Sequence, residues 1–573
     1  MSGDGKKKRM TVIAVSSLVL VAMVVGVAVT VTRNNTTSSN KAAEPQITGS
    51  MKAIRAICQP TDFKETCEQS LSSANTTDPK ELVKVGFQTA MTHITEAVKK
   101  STTLRELEKD KFSAQALENC KELMDYAIDD LQKSFDELGA FDMSKMDDFL
   151  ENIKIWLSAA LTYQETCVDG FKNNTDSAAE SMRKALKSAG EITRNGLAIV
   201  GEISTILTSL QIPFSRRLLS DEPKLTEDGF PLWASSEKRR LLALPKHLVK
   251  ADVVVAKDGS GQYKTINDAL KNIPPLKVRN SNPKVNNVTY VIHIKAGIYN
   301  EIVHVLKDMA HVMFMGDGPL KTKITGNKNF IDGTPTFTTA TVAVVGSGFM
   351  ARDIGFENSA GAAKHQAVAL RVSSDMSVFY NCKMDAYQDT LYAHAGRQLY
   401  SNCVVSGTID FIFGNAAVLF QKSTMVVRKP LDNQQNIVTA QGRKDSREPT
   451  GIVLQDCTIK ADPSLVPFMV KNPSYLGRPW KEFSRTIIAN TYIENVIRPE
   501  GWLPWAGDFG LKTCFYAEYK NKGPGSNLAN RVKWPGIKTP TFTHEQALPF
   551  SADKFISAQS WLPRTGVPFI PSI

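Results

Sequence analysis

The sequence predicts two structural halves: an all-α, up-and-down helix bundle, then an all-β, right-handed parallel β-helix. An apolar helix is expected ahead of both. Three observations carry this reading. Apolar residues recur every three to four positions between residues 49 and 212. From about residue 250 short β-rich segments replace them, separated by Gly, Asn and Asp. Within that second half a faint repeat returns every 20 to 23 residues.

The N-terminus comes first. Lys6-Lys7-Lys8-Arg9 precedes an uncharged, mostly apolar run over residues 10–32, long enough to span a bilayer with the basic side cytosolic. Its length favours a signal anchor over a cleaved signal peptide, although Gly26-Val27-Ala28 offers a small-x-small cleavage site. Either way the remainder enters the secretory pathway. N-x-T sequons at Asn34, Asn35, Asn75, Asn173 and Asn287 are the glycosylation candidates on that route.

In the helical half, Leu82, Val85, Thr89, His93 and Ala97 are read as one apolar face. Leu117, Cys120, Met124, Ala127, Leu131 and Phe135 are read as another. Cys58 and Cys67 are close enough to staple a helical hairpin, and Cys120 with Cys167 would tie two helices together. His93 is read as a helix-face residue, because no second His or Cys sits at metal-ligand spacing. Residues 213–247 carry Pro, Ser and charge without periodicity and are read as a linker. Within it Arg216-Arg217-Leu218-Leu219 recurs as Arg239-Arg240-Leu241-Leu242, which suits protease recognition in an exposed linker.

The β-rich half begins near residue 251, with DVVVA, TYVIHI, HVMFMG, TATVAVV, QAVALRV, MSVFYNC and GIVLQDCTI as strand candidates. Phe356-Glu357-Asn358-Ser359, Phe379-Tyr380-Asn381-Cys382, Tyr400-Ser401-Asn402-Cys403 and Phe420-Gln421-Lys422-Ser423 share one pattern: a large apolar residue, two polar residues, then a small one. A solenoid of stacked coils explains such a repeat, whereas a β-sandwich would want hairpin turns every 8 to 12 residues. In a solenoid, positions one coil apart lie on adjacent strands roughly 4.8 Å apart.

That spacing matters for two acids. Asp389 and Asp410 sit among apolar and aromatic residues, where a charge needs a partner or a task. They are 21 positions apart, one coil by the repeat, and are therefore expected side by side. Two carboxyls that close cannot both ionise easily, which leaves one acid beside one base or nucleophile. Gln366 precedes Gln388 by 22 positions and registers in the same way; stacked amides can donate to an oxyanion. Arg478 is expected to keep one Asp ionised. Trp480, Phe413 and Tyr387 are read as sugar-stacking walls.

The net charge of +11 favours a polyanionic partner, but the basic residues are scattered, with no basic helix or Arg-rich arm for nucleic acid.

At these residues the sequence resembles the plant pectin methylesterases, carbohydrate esterase family 8. GIYNE (297–301), QAVAL (366–370), YQDTLY (387–392), DFIFG (410–414) and LGRPW (476–480) look like the family's ordered signature segments. VVAKDGSGQYKTI (254–266) looks like the start of the catalytic domain, taken as residues 251–565. The helical half, 49–212, is similar to the pectin methylesterase inhibitor domain, a four-helix pro-region that restrains the longer plant enzymes, and shares its four cysteines.

The resemblance implies demethylation of homogalacturonan in the plant cell wall without metal or organic cofactor. Asp410 is then the nucleophile, Asp389 the acid and base, and Gln388 the oxyanion stabiliser. Gln366, Arg478, Trp480 and Thr336 bind substrate. Both RRLL tetrads match the family's processing motif, so a subtilisin-like protease and inhibitor proteins join pectin as expected partners of a monomeric enzyme. Many relatives have a second cysteine one coil after Cys403, paired with it. Here that position is Ser423, so Cys403 is expected to be free or bonded elsewhere, with Cys382 as one candidate.

Rival readings are a pectin lyase, a galacturonan hydrolase and an inert wall-binding protein. A lyase would want a calcium-binding acidic cluster, a hydrolase further acids in the cleft, and an inert protein need not keep both Asp. A Ser-His-Asp esterase is not expected, since no G-x-S-x-G occurs.

Overall fold

The computed structural model describes residues 49–139, 146–171, 177–209, 249–280 and 289–573. The apolar run 10–32, both RRLL tetrads and the sequons at Asn34, Asn35, Asn173 and Asn287 lie outside them. Asn75 is described and exposed. Among the described residues no helix is long and apolar enough to cross a membrane.

Six helices form the first half: α1 (Gly49–Cys58), α2 (Lys64–Leu71), α3 (Pro79–Leu107), α4 (Lys111–Gly139), α5 (Met146–Asp169) and α6 (Ser177–Ser209). Pro79 opens α3, and the Asp78 carboxylate accepts from the Lys80 amide at 2.9 Å, capping a helix end that has spare N–H groups. Helices α3 to α6 pack as the four-helix body. Cys58–Cys67 closes the α1–α2 hairpin and Cys120–Cys167 ties α4 to α5.

The α4 face follows the sequence reading: Leu117, Cys120, Met124, Ala127 and Leu131 are buried, and Phe135 is half-buried against them. The α3 face does not. Its buried stripe is Leu82, Val83, Phe87, Ala90, Ile94 and Ala97. Val85, Thr89 and His93 stand at its margin, and His93 Nδ1 lies 3.5 Å from Glu96. The larger apolar set won; Thr89 instead donates to the Val85 carbonyl at 2.9 Å.

The second half is a solenoid of three all-parallel sheets with ten, seven and eight strands. From Tyr290 onward chain-adjacent strands fall in different sheets, so each full turn of the coil adds one strand to each. This is the architecture of a parallel β-helix. Phe379 pairs with Tyr400, Tyr400 with Phe420, Phe420 with Leu454 and Leu454 with Ile488. Phe379, Tyr400 and Phe420 stack inside the coil at 4.7 Å per step.

The sequence repeat marks a corner. Its third position, Asn381, Asn402, Lys422, Asp456 and Asn490, has positive φ between 50° and 55°. Short polar side chains tolerate that left-handed turn best. The next position turns back into the core and must be small: Cys382, Cys403, Ser423, Cys457, Thr491. One member of the repeat is misassigned by sequence. Phe356 pairs with Met384 in another sheet, and the true coil equivalent of Phe379 is Ala351, followed by Asp353 at φ 57°. An aromatic residue in a neighbouring strand imitated the corner pattern.

The seven-stranded sheet positions the candidate site. Its register aligns His304, Ala343, Arg371, Tyr392, Phe413 and Ala440 in one row, one residue per coil. The pairing of Thr439 with Gly477 carries that row on to Arg478. The helix bundle packs onto this face. One continuous apolar cluster runs from the bundle into Phe337, Ala343, Tyr392, Phe413 and Ala440, with Trp480 against it.

Candidate active site

Asp389 and Asp410 each stand two residues before a strand of the seven-stranded sheet, in strands that pair Leu391 with Ile412. The Asp389 amide donates to the Ile409 carbonyl at 3.0 Å, and the Leu391 amide to the Phe411 carbonyl at 2.9 Å. Both acids have positive φ, 64° and 51°, so the chain turns at the same point in successive coils. The 21-residue gap is thus one coil, and the two carboxyls are neighbours.

Arg478 meets Asp410 with both arms, Nε to Oδ1 at 2.8 Å and Nη2 to Oδ2 at 2.6 Å. Planar bidentate pairing of this kind is geometrically selective and charge-assisted. The preceding Gly477 is required: a Cβ there would lie 2.3 Å from Thr439 Oγ1. Gly414, which closes DFIFG, has φ 124°, and a Cβ would lie 2.0 Å from the Ala393 carbonyl oxygen.

The acids are 7% and 5% exposed, so water does little for either charge. Burial pushes both carboxyls upward. At Asp389 the neighbouring Asp410 charge adds to that push. At Asp410 the Arg478 guanidinium opposes it through charge and hydrogen bonds. Asp410 is therefore the carboxyl that ionises, and Asp389 keeps its proton.

Gln366 and Gln388 form a parallel bridge one coil apart, the Ala367 amide donating to the Gln388 carbonyl at 3.2 Å. Gln366 Oε1 is buried and finds no partner among the described residues. Phe413 and Trp480 lie 6.0 Å apart. Tyr387 is held from the other side by Arg428, which stacks at 3.9 Å and donates to its hydroxyl at 2.9 Å. Thr336 opens a short 3-10 turn and is half-buried.

Four further residues shape the site. Tyr392 stacks on Phe413 at 4.2 Å, and Trp505 lies 4.4 Å from the Arg478 guanidinium. Arg428 orients Tyr387, and Arg371 sits one register step from Tyr392. Tyr392 was within reach of sequence reasoning, since it lies in YQDTLY, 21 positions before Phe413. Trp505 and Arg428 lie outside the motifs, and nothing in their spacing marks them.

The bundle covers this face with polar as well as apolar contacts. Thr166 Oγ1 lies 2.8 Å from His394 Nε2 and 3.4 Å from the Tyr392 hydroxyl. Asn415 Nδ2 donates to Thr162 Oγ1 at 2.9 Å, and Tyr163 stands edge-on to the His394 ring at 5.4 Å.

Cys382, Cys403, Cys457 and Cys514 are all buried free thiols, so Cys403 has no bridge to Cys382. Burial raises the Cys382 thiol, with Cys403 adding to the effect. Ser423 takes up the corner next to Cys403 through a hydrogen bond from the Cys403 amide to Ser423 Oγ at 3.0 Å.

Comparison with known proteins gives the family of each half. The family profile described as Pectinesterase matches residues 252–559, and that described as Plant invertase/pectin methylesterase inhibitor matches 52–199. The probable pectinesterase/pectinesterase inhibitor 21 of Arabidopsis thaliana is 52% identical over 570 residues, covering 98% of this chain and 82% of that protein. Pectinesterase 3 of Phaseolus vulgaris is 42% identical, covering 94% and 90%. A solved pectin methylesterase from carrot is 50% identical, with TM-score 0.54, covering 57% of this chain and 99% of the carrot chain. The carrot chain thus lacks a counterpart of the rest of this one. This chain belongs to the pectinesterase family and carries an inhibitor-type helical domain ahead of its catalytic β-helix.

Proposed function

We propose that this pectinesterase hydrolyses the C6 methyl esters of homogalacturonan through an acyl-enzyme on Asp410. The observation that carries the assignment is the unequal pair: Arg478 grips Asp410 with two hydrogen bonds, while among the described residues no cation is hydrogen-bonded to Asp389. The ionised Asp410 oxygen attacks the ester carbonyl, and the oxyanion accepts from the Gln388 amide, with Gln366 stacked beside it. The C–O bond to the methoxy group breaks, and Asp389 gives up its proton to release methanol. Asp389, now ionised, takes a proton from water as that water attacks the same carbonyl. The C–O bond to Asp410 breaks, the galacturonic acid departs and loses its remaining proton to solvent, and both acids return to their starting states. Phe413, Trp480 and Tyr387 serve as walls for the sugar rings, and Thr336 and Gln366 as polar contacts to the chain.

The bundle restrains this activity, since it lies against Tyr392, Phe413 and Trp480, the surfaces a polysaccharide would use. Cleavage at one of the RRLL tetrads by a subtilisin-like protease would free the β-helix. Residues 10–32 and the sequons fit delivery along the secretory pathway to the wall. The right-handed winding implied by the family is the hand that parallel crossovers take.

The test is methanol release from methylesterified pectin by residues 249–573, wild type and Asp410→Ala. Release by the wild type and a loss of at least roughly a thousandfold in the variant are expected. A folded Asp410→Ala protein with undiminished activity would overturn the nucleophile assignment. Replacing all four tetrad arginines by Ala should hold full-length protein inside the secretory pathway; normal export would count against the processing step.

A further inference from the structure

The turn that carries Gln388 and Asp389 is gripped from two sides. It runs between Asp385, which ends one strand, and Leu391, which starts the next. Asp389 takes positive φ in it, a conformation that is costly for a residue with a side chain and so needs support. On the core side the Tyr387 carbonyl accepts from the Thr408 amide at 2.8 Å and from Thr390 Oγ1 at 3.1 Å. Gly407 leaves room for that carbonyl, since a Cβ there would lie 2.7 Å from its oxygen.

On the outer side one residue makes the grip. Arg428 Nη1 donates to the Ala386 carbonyl at 2.8 Å and to Asp385 Oδ1 at 3.1 Å. Its Nη2 donates to the Tyr387 hydroxyl at 2.9 Å, and its guanidinium stacks on the Tyr387 ring at 3.9 Å. Asp385 is itself fixed: Lys383 donates to its Oδ2 at 2.8 Å, and Ser406 Oγ to its Oδ1. These Arg428 contacts all fall on residues 385–387, directly ahead of Gln388 and Asp389.

The reach of Arg428 links the two acids. Asp385 pairs with Ser406, and Ser406 with Val426, so Arg428 stands two coils away, roughly 10 Å along the sheet. The coil it crosses carries Asp410. Its own amide is bonded to that coil, donating to the Gly407 carbonyl at 2.8 Å. One residue thus holds the coil of Asp410 through its backbone and the turn of Asp389 through its side chain. A plain surface ion pair would need only Asp385, and such pairs contribute little. The stack and the bonds to carbonyl and hydroxyl are aimed at the turn instead.

We propose that Arg428 is a positioning residue for this esterase: it braces the Tyr387-Gln388-Asp389 turn from outside the coil and sets its distance from the Asp410 turn. The inference rests on the roles assigned above to Gln388 and Asp389, and adds what holds them in place. The Gln388 amide stays aimed where the oxyanion forms, and the Asp389 carboxyl stays close enough to Asp410 to keep its proton. A slack turn loses both. The donor drifts from the oxyanion, and the Asp389 carboxyl, further from the Asp410 charge, falls back toward its ordinary range.

The experiment uses residues 249–573; the carrot chain, matched over 99% of its length by 57% of this one, shows that such a unit stands alone. Wild type, Arg428→Met and Arg428→Lys are compared on methylesterified pectin. Arg428→Met should lower kcat about thirtyfold, while KM changes less than about threefold. The alkaline limb of its pH–rate profile, which reports loss of the Asp389 proton, should move down by about one pH unit. Lysine keeps the charge opposite Asp385 but has neither the fork nor the flat face, so the kcat of Arg428→Lys should stay within about threefold of Arg428→Met. Amide exchange over residues 386–390, followed by mass spectrometry, should speed up about tenfold in both variants, with residues 397–401 unchanged. A raised KM with unchanged kcat would make Arg428 a contact to the polysaccharide and overturn the proposal. So would full rescue by lysine, an unmoved alkaline limb, or exchange equal to wild type. Exchange is read without turnover. Faster exchange in the variants of a unit whose wild type releases no methanol would sink the reaction and leave the brace standing. Methanol release with unaltered exchange would do the reverse.

Discussion

In the helix bundle four cysteines form two bridges; in the β-helix four cysteines stay as thiols, although Cys382 and Cys403 sit one coil apart. The difference follows from how each half holds itself together. Bundle helices touch through side chains alone, so a covalent tie between α4 and α5 restricts their separation in the unfolded chain. Coils of the β-helix are already joined strand to strand by backbone hydrogen bonds, and a corner residue needs only to be small and buried. One half is a crosslinked bundle packed on the acid-pair face, the other a self-supporting ladder.

The bundle's crosslink carries the largest expected effect. Cys120→Ser removes the crosslink that closes a 47-residue separation and should cost the bundle about 4 kcal/mol, read as a lower melting transition of the helical half. The β-helix transition should stay where it was. Matching losses in both would mean the halves unfold as one.

The seam between them gives the next largest effect. Glu448 is 1% exposed, accepts from Asn415 and has one oxygen without a partner among the described residues. Burial pushes its carboxyl up to about 7. A carboxyl raised in the folded state stabilises fully below its ordinary value and loses that contribution as pH rises through the raised one. The window is therefore from about 4.5 to 7, and about 3 kcal/mol is at stake. Glu448→Gln should flatten the fall of Tm across that window; an unchanged slope would place its origin elsewhere.

The catalytic face itself is sharpened by Arg478→Met. Without the guanidinium nothing opposes the burial effect at Asp410, so the acid limb of the pH–rate profile should move up by roughly one to three pH units. At a pH on that limb, kcat/KM should drop about a hundredfold while the Tm of the bundle is unaffected. The smallest effect belongs to the ladder's thiols: Cys403→Ser should cost less than about 1.5 kcal/mol, because Ser423 already fills the equivalent corner one coil on.

Much of this was legible in the sequence where one residue type repeats for a physical reason. Asn381, Asn402 and Lys422 betrayed the corner because few side chains accept the left-handed turn, and the same period placed Asp389 beside Asp410. The reading slipped where a pattern could be imitated. Phe356 copied a corner it does not occupy, and His93 copied a core face that Phe87, Ala90 and Ile94 supply. It was silent where partners are brought together only by folding. Trp505 reaches Arg478, Arg428 reaches back to Tyr387 across 41 positions, and Thr166 crosses 228 positions to His394. No local period encodes contacts between a bundle and a solenoid.

If the bundle restrains the enzyme, the face beneath it is otherwise ready for catalysis. Methanol release should be compared between the full chain and residues 249–573 under the same conditions, on the same pectin. If substrate needs the face uncovered, and the uncovered state is about 1% of the population, the full chain should run on the order of a hundredfold slower. Equal rates in the two would show that the bundle does not restrain the enzyme, because an acid pair working at full speed beneath α5 cannot lie under a lid.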